Sequence, residues 1–247
     1  MSKKNKNSKI LDKPTKAAIK KEKVAVVDSP APAATEPEKA TVVEDNLTQA
    51  TTEQEKTKET AKTASWLKVP DKSALLPEVQ AIFQQQQDSI GFVHPFFQGY
   101  ALNPNHLLLW YNYYQALMYG EGELSPKERE IIAIVSSAAN HCESCVTTHK
   151  AHLREVIKDP ILPDRLALNP DDVELTQRER ALVDFAVKIN KNASDLSAQD
   201  LEPLRQAGLS DEAILLAGEI AAGFSLSNKL TKAFGWKVGS EYDQLYR

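Results

Sequence analysis

The strongest constraint on the fold of this chain is a helix-start pattern that occurs twice, 51 residues apart. In Ser125-Pro-Lys-Glu, a hydroxyl stands at the N-cap, Pro at the first helical position and Glu at the third. Thr176-Gln-Arg-Glu repeats this capping box, and similar residues follow both boxes. No segment shows sustained two-residue alternation, so the pattern predicts an all-α fold. An internally duplicated helical unit would explain the repeat, as would the general similarity of helix starts.

Other cap residues predict where further helices begin and end. Pro suits a first helical position, Ser an N-cap, and Gly the residue after a helix end, as at Gly120, Gly208 and Gly235. These signals predict helices at 77–88, 105–118, from 125, at 176–190, from about 197, from about 210, and a separate last helix at 224–234.

Composition divides the chain into two parts. Residues 1–65 contain no aromatic residue, no Gly and no Arg. Such a segment cannot bury enough apolar area to offset its ordering entropy, so it is predicted to be a disordered, low-complexity tail. Residues 66–247 hold every Trp, Tyr and Phe and are numerous enough for one compact helical domain.

The charge pattern argues against binding to nucleic acid or to a membrane. Residues 1–23 carry nine lysines against Asp12 and Glu22, but no aromatic residue lies among them, and residues 66–247 are acidic. A solvated tail is therefore favoured. No apolar run approaches the roughly 20 residues of a membrane helix, and no signal or transit peptide is evident. The expected location is the cytoplasm.

The chemistry-bearing residues concentrate in one CxxCxxxH run, in which Cys142 and Cys145 are the only cysteines and His149 the final residue. Asn140 is predicted to be the N-cap of a new helix, with Glu143 at its third position. Because helical residues turn by about 100°, the two thiols and the imidazole share one stripe. A helix N-terminus and an imidazole both stabilise a thiolate, the reactive form.

The wider pattern resembles the AhpD-like alkyl hydroperoxidases of the carboxymuconolactone decarboxylase superfamily. Their motif places a Glu twelve residues before the CxxCxxxH, and Glu130 stands twelve residues before Cys142. The Leu-Ser-Pro-Lys-Glu-Arg helix start and the Phe-Ser-Leu-Ser-Asn-Lys-Leu run resemble the peroxidase-related branch. The resemblance covers about residues 66–240, and it departs from some members at Ser144, where they carry His.

The resemblance implies roles for four residues. Cys145 would attack the peroxide, Cys142 would resolve the product to a disulfide, and Glu130 and His149 would relay protons. It implies hydrogen peroxide or an organic hydroperoxide as substrate and no bound cofactor. An external dithiol reductant, such as a lipoylated or thioredoxin-type protein, would reopen the disulfide.

Three other functions remain open. The same Cys/His cluster could serve redox sensing without turnover or metal binding, and the chain could be a binding or scaffolding protein that keeps the fold without turnover. A structural zinc site usually takes four ligands from two separate pairs, and the sequence offers no second Cys pair, so no metal site is expected. His141 and His152 are assigned to structure or solvation.

Two apolar runs predict a homo-oligomer. Residues 131–139 and 213–222 are apolar on more than one helical face, and such helices must be covered on all sides. Glu219, inside the second run, is expected to make a structural hydrogen bond or a subunit contact. Trp110 and the neighbouring tyrosines are expected to lie in a core or an interface.

Overall fold

The structure, a computed structural model, describes residues 65–247, and every regular element within them is helical. The prediction of a disordered tail falls on residues outside this range. The all-α prediction is confirmed. Ten α-helices follow one another: α1 Pro77–Ile90, α2 Pro95–Tyr100, α3 Pro104–Tyr119, α4 Pro126–Ala139, α5 Glu143–Ile157, α6 Leu162–Leu168, α7 Gln177–Lys191, α8 Glu202–Gln206, α9 Asp211–Phe234 and α10 Glu241–Gln244.

Helix α4 is the centre of the main core. Every residue from Ile131 to Ser137 is at most 2% exposed, and α3, α5, α6, α7 and α9 pack around the helix. The all-round apolar character of this run is therefore explained by contacts within the chain, without a second subunit. Burying so many branched side chains on one helix fixes its position relative to its neighbours.

Helices α4 and α7 run parallel and hold each other through equivalent residues. Both predicted capping boxes are confirmed. Lys127 Nζ lies 2.6 Å from Glu179 Oε1, and Arg178 Nε donates to Glu128 Oε1 at 2.6 Å. In each pair, the second helical residue of one helix contacts the third of the other. The two contacts are reciprocal, because Lys127 and Arg178, and likewise Glu128 and Glu179, are equivalent positions 51 residues apart, and this favours the interpretation of a duplicated helical unit.

The prediction of a separate helix from Phe224 is wrong. Helix α9 continues without a break from its Ser210 N-cap to Gly235, whose φ of +68° ends it. Gly223 lies inside this helix, and a Cβ there would lie 3.3 Å from Leu117 Cδ1. The glycine therefore allows α3 to pack closely against α9 and is not a helix end.

Other helix boundaries follow the predictions closely, with short elements as the exceptions. The predicted start near 197 is a 3₁₀-helix, Ala198–Leu201, that leads into α8. The sequence did not predict α2, α6 or α10, which span only four to seven residues. Within residues 65–247, no helix is long and apolar enough to cross a membrane.

A second, aromatic cluster joins α1, α2 and α3 to the residues that follow α9. Trp236 is 2% exposed and packs edge-on against Phe96. Gly99 lies so close that a Cβ there would overlap the Trp236 indole. The indole Nε1–H donates to Ser65 Oγ at 3.0 Å, so Ser65, assigned by composition to the tail, packs onto this cluster.

Candidate functional site

The two cysteines lie at a tight junction between α4 and α5. The Asn140 backbone N–H and side-chain Nδ2 both donate to the Ser136 carbonyl, at 3.1 and 3.0 Å, which completes α4. His141 then adopts a left-handed conformation with φ of +52°. Cys142 is the N-cap of α5, and its carbonyl accepts the Val146 N–H at 2.9 Å.

The predicted cap assignment is therefore wrong: Asn140 ends α4 and does not begin α5. Consequently Glu143 is the first helical residue of α5 and not the third. The error arises because Asn stabilises both ends of helices, and here its side chain bonds back to the preceding turn. Cys142 thus stands one turn before Cys145, at the helix start.

The two thiols differ in their access to a cavity of about 190 Å³ that is partly open to solvent. Cys145 lines this cavity, while Cys142 is 1% exposed and does not contribute to its wall. The Cys145 thiol also lies 3.8 Å from Thr231 Oγ1 on α9. Both cysteines are free. A small molecule in the cavity would meet Cys145 first.

The two thiols share a hydrogen bond that separates their acidities. Interaction with the Cys145 thiol lowers the pKa of Cys142 despite its burial, and the Lys232 ammonium adds to the effect. The same hydrogen bond, together with burial, raises the pKa of Cys145 well above that of a free thiol. Of the two coupled thiols, Cys142 is therefore the more acidic.

A buried carboxylate–imidazole pair lies at the same site. Glu130 Oε2 on α4 is 2.7 Å from His149 Nδ1 on α5, and both side chains are almost fully buried. Burial alone would raise the pKa of Glu130, but His149 and then His152 lower it to about 2. Glu130 is thus a buried anion held by imidazoles.

His152 also faces this carboxylate, with Nδ1 3.7 Å from Glu130 Oε1. Burial lowers the pKa of His152, but the carboxylate outweighs this and raises it. From the sequence, His152 was expected to serve structure or solvation, and not the site. The only available signal was its position three residues after His149, one helical turn away on the same face.

The cavity wall is mainly aromatic, with side chains drawn from distant parts of the chain. Trp110 and Tyr114 of α3 stack with their rings 5.1 Å apart, and the Phe224 ring meets His149 edge-on at 4.5 Å. Tyr242 of α10 closes another side. Trp110 and the nearby tyrosines were expected to lie in a core or an interface; Trp110, Tyr111 and Tyr114 also line the cavity.

His94 is a second buried imidazole on the cavity wall, with a fixed tautomer. Its Nδ1 accepts the Phe96 N–H at 3.0 Å, so Nε2 carries the proton and donates to Thr148 Oγ1, also at 3.0 Å. The Thr148 hydroxyl in turn donates to the Ser144 carbonyl. Burial, with smaller contributions from His149 and His152, lowers the pKa of His94 to about 3. This side chain is a neutral hydrogen-bond donor.

The C-terminal segment is fastened to α5 beside the cysteines. Arg154 is fully buried, and it donates to the Leu245 and Tyr242 carbonyls at 3.1 and 2.9 Å. The Ser144 hydroxyl, where some relatives carry His, accepts the Val238 N–H at 3.2 Å. These bonds hold Tyr242 against the cavity.

Comparison with known proteins assigns the family. Residues 104–168 match the carboxymuconolactone decarboxylase family. The structure of a peroxidase-related protein from Ralstonia eutropha JMP134, described as an alkylhydroperoxidase AhpD core, is 34% identical, with a TM-score of 0.71 over 74% of this chain and 97% of that one. This chain belongs to the AhpD-like carboxymuconolactone decarboxylase family. A peroxidase-related protein from Silicibacter sp. TM1040 is 32% identical to this chain. Its structure gives a TM-score of 0.71 over 75% of this chain and 97% of the Silicibacter chain.

A more distant structure shares only the fold. The debrominase Bmp8 is 15% identical to this chain, with a TM-score of 0.62 over 74% of this chain and 95% of the Bmp8 chain. The curated proteins include no match to the chain. The AhpD-like fold thus carries more than one chemistry, and the function must be argued from the residues of the site.

The AhpD-like structure brings the four residues predicted from the sequence into one region. Glu130 contacts His149, Cys142 contacts Cys145, and both Cys145 and His149 line the cavity. Glu219 lies elsewhere and is half-buried; with burial, its carboxylate raises the pKa of Tyr113. Sequence reasoning missed several residues of the site: His94, Thr148, His152, Arg154, Thr231, Lys232 and Tyr242.

Proposed function

We propose that this protein is a thiol-dependent peroxidase that reduces hydrogen peroxide or organic hydroperoxides through a Cys142–Cys145 disulfide cycle. The observation that carries the proposal is the placement of Cys145: its thiol lines a cavity beside His149 and is hydrogen-bonded to a second, more acidic thiol. Membership in the AhpD-like family, with its peroxidase-related relatives, supports the same chemistry.

Activation begins with the proton that the two thiols share. Once the thiol pair has lost one proton to a base, movement of the remaining proton from Cys145 to the Cys142 sulfur leaves a thiolate facing the cavity. The buried Glu130–His149 pair supplies a proton acceptor and donor on the same wall. The carboxylate fixes the orientation of the imidazole, as an anionic partner does in other acid–base pairs.

The oxidative half-cycle then follows in two balanced steps. The Cys145 thiolate attacks one peroxide oxygen, so that an S–O bond forms and the O–O bond breaks. The departing alkoxide or hydroxide takes a proton and leaves as alcohol or water. Cys142, again deprotonated, attacks the Cys145 sulfenic sulfur; the S–S bond forms, and the hydroxyl leaves as water after protonation.

An external dithiol closes the cycle. Its thiolate attacks the Cys142–Cys145 disulfide, and its second thiol completes the exchange, so the donor leaves as a disulfide and both cysteines return as thiols. We propose a lipoylated or thioredoxin-type donor and a reducing, cytoplasmic setting. No further cofactor takes part in this scheme, and the chain is proposed to work as a homo-oligomer.

The decisive experiment measures peroxide consumption by the full chain with dihydrolipoamide, thioredoxin or glutathione systems. We expect turnover with at least one dithiol donor and none with Cys145→Ser. If Cys145→Ser leaves both turnover and peroxide-induced disulfide formation intact, the proposal is wrong. Thiol titration before and after peroxide gives the number of oxidised thiols independently of the donor.

A redox sensor is the second candidate, and the burial of the thiols favours it. Cys142 is 1% and Cys145 9% exposed, so a protein donor has little sulfur surface to attack. A sensor would oxidise stoichiometrically with peroxide and show no turnover under any reductant. The donor comparison therefore distinguishes it from the peroxidase.

A further inference from the structure

We propose that Glu130, His149 and His152 form a binding site for a divalent transition-metal ion of the zinc type. This site lies apart from the cysteines, where the sequence raised the possibility of a metal, and it includes His152, which from the sequence was expected to serve structure or solvation. In the structure, the carboxylate and both imidazoles converge, with one donor atom from each within 4.8 Å of the other two. Two imidazoles and a carboxylate are a ligand set that Zn²⁺ and related ions take.

The spacing of the donor atoms suits such an ion after small side-chain rotations. Around tetrahedral zinc, with metal–ligand bonds near 2.1 Å, ligand atoms lie about 3.4 Å apart. Glu130 Oε2 is 2.7 Å from His149 Nδ1, and Glu130 Oε1 is 3.7 Å from His152 Nδ1. The two contacts end on different oxygens of the Glu130 carboxylate, so an ion that bound both oxygens would open the first contact and tighten the second.

A buried nitrogen without a hydrogen bond gives a second reason. Among the described residues, the buried Nδ1 of His152 makes no hydrogen bond, and Glu130 Oε1, at 3.7 Å, lies just beyond hydrogen-bond distance. Leaving a buried polar atom unpaired is unfavourable, and metal ligation would satisfy it. The nitrogen is held in place by the helix, because His152 lies one turn beyond His149 on α5.

The site has room for one more ligand. His149 and His152 both line the cavity, so a bound ion would face the cavity on its fourth side. Three protein ligands with an open position differ from the closed four-ligand arrangement of structural zinc sites. A water molecule or a small anion in the cavity could occupy that position.

The site shares two residues with the proposed proton relay, which gives metal binding a consequence for activity. A bound ion would occupy the His149 lone pair and the Glu130 carboxylate, so neither could move a proton. Metal would therefore inhibit thiol oxidation. This consequence rests on the proposed function, whereas the metal site itself does not.

The binding test uses the full chain in which Cys142→Ser and Cys145→Ser remove competing thiol ligands. Co²⁺ is titrated and followed by its visible absorption, and Zn²⁺ then displaces it. We expect binding that weakens by about tenfold or more in His152→Gln. His106→Gln, an exposed histidine outside the cluster, is the matched control and should bind as before.

A second variant guards against misfolding of the first. Glu130→Gln keeps the size of the side chain and removes its charge, and it too should weaken Co²⁺ binding, with circular dichroism confirming the fold. Failure of the double-serine chain to bind Co²⁺ would overturn the site. So would binding that neither His152→Gln nor Glu130→Gln weakens.

The inhibition is tested separately on the wild-type thiols. Saturating Zn²⁺ should slow peroxide-driven disulfide formation in the wild-type chain and much less in His152→Gln. Equal inhibition of both chains would assign the effect to thiol ligation and overturn regulation through this site. If the wild-type chain does not react with peroxide at all, the proposed function fails, and the Co²⁺ titration still decides the metal site.

Discussion

Glu130 and His149 lie 2.7 Å apart in the protein interior, although 18 residues separate them along the chain. Their contact depends on the left-handed His141, which reverses the chain between α4 and α5. A non-glycine residue in this conformation is uncommon and often accompanies a functional constraint. Here it places the N-cap Cys142 and the relay pair on the same side of the junction.

Replacing Glu130 with Gln is expected to slow disulfide formation by about 100-fold, because the neutral amide can no longer stabilise a protonated His149. Stopped-flow measurement of thiol loss after addition of peroxide checks this. Glu78→Gln, which alters an exposed carboxylate at the start of α1, is the matched control and should react at the wild-type rate. A wild-type rate in Glu130→Gln would remove the carboxylate from the relay.

The two cysteine variants are expected to differ in the product that peroxide leaves behind. In Cys142→Ser, the sulfenic acid formed at Cys145 has no resolving thiol and should accumulate. A dimedone-type reagent followed by mass spectrometry should then label Cys145. In Cys145→Ser, the buried Cys142 should stay unlabelled, and strong labelling there would reverse the assigned roles.

The neutral His94 is expected to make stability depend on pH. Its pKa in the folded protein is about 3, compared with about 6.5 for a free histidine. Between these values the unfolded chain binds the additional proton, so the free energy of unfolding falls as the pH is lowered from about 6.5. The slope is at most about 1.4 kcal/mol per pH unit for one proton.

His94→Asn isolates this contribution because Asn also serves as an N-cap and does not titrate. Urea unfolding between pH 6.5 and 4.5 should show a shallower slope in the variant. Glu130, whose pKa is lowered to about 2, loses its stabilising effect only below about pH 4.5. His152, whose pKa is raised, loses its stabilising effect only as the pH rises above about 6.5, outside this range. An unchanged slope in the variant would exclude His94 as the cause.

Arg154→Gln is expected to lower the free energy of unfolding by about 3 kcal/mol, because two hydrogen bonds from a charged, buried donor are lost. The C-terminal segment that carries Tyr242 should loosen first. Urea denaturation and hydrogen exchange of residues 237–247 measure the two effects. Arg165→Gln, on exposed α6 surface, is the control. Equal protection of the segment in both variants would refute the fastening role.

Local patterns were the part of the fold that the sequence could predict. The boxes at Ser125 and Thr176 are complete within four residues, so no distant contact is needed to form them. Asn140 was misassigned because the choice between a helix end and a helix start depends on where its side chain bonds. The continuous helix through Gly223 was not predicted, because this glycine is required by the close approach of Leu117 on α3, which only the tertiary structure shows.

The candidate site could be predicted only where its residues belong to a family motif. Glu130, Cys142, Cys145 and His149 came from a fixed spacing. His94 and Tyr242 stand far from that motif, and their approach to the cavity depends on how α2 and α10 pack. No periodicity in a single sequence predicts that His94 and Tyr242 line the same cavity, because this depends on how the helices pack in the tertiary structure.

The complete burial of α4 also has a consequence for motion. Its central backbone amides, from Ile131 to Ser137, are covered on every side, so their hydrogens are expected to exchange with solvent only when the whole domain unfolds. Glu130 therefore stands on one of the slowest-exchanging elements of the molecule. Any rearrangement that accompanies oxidation must come from the thiol side, at the start of α5, while the carboxylate stays where it is.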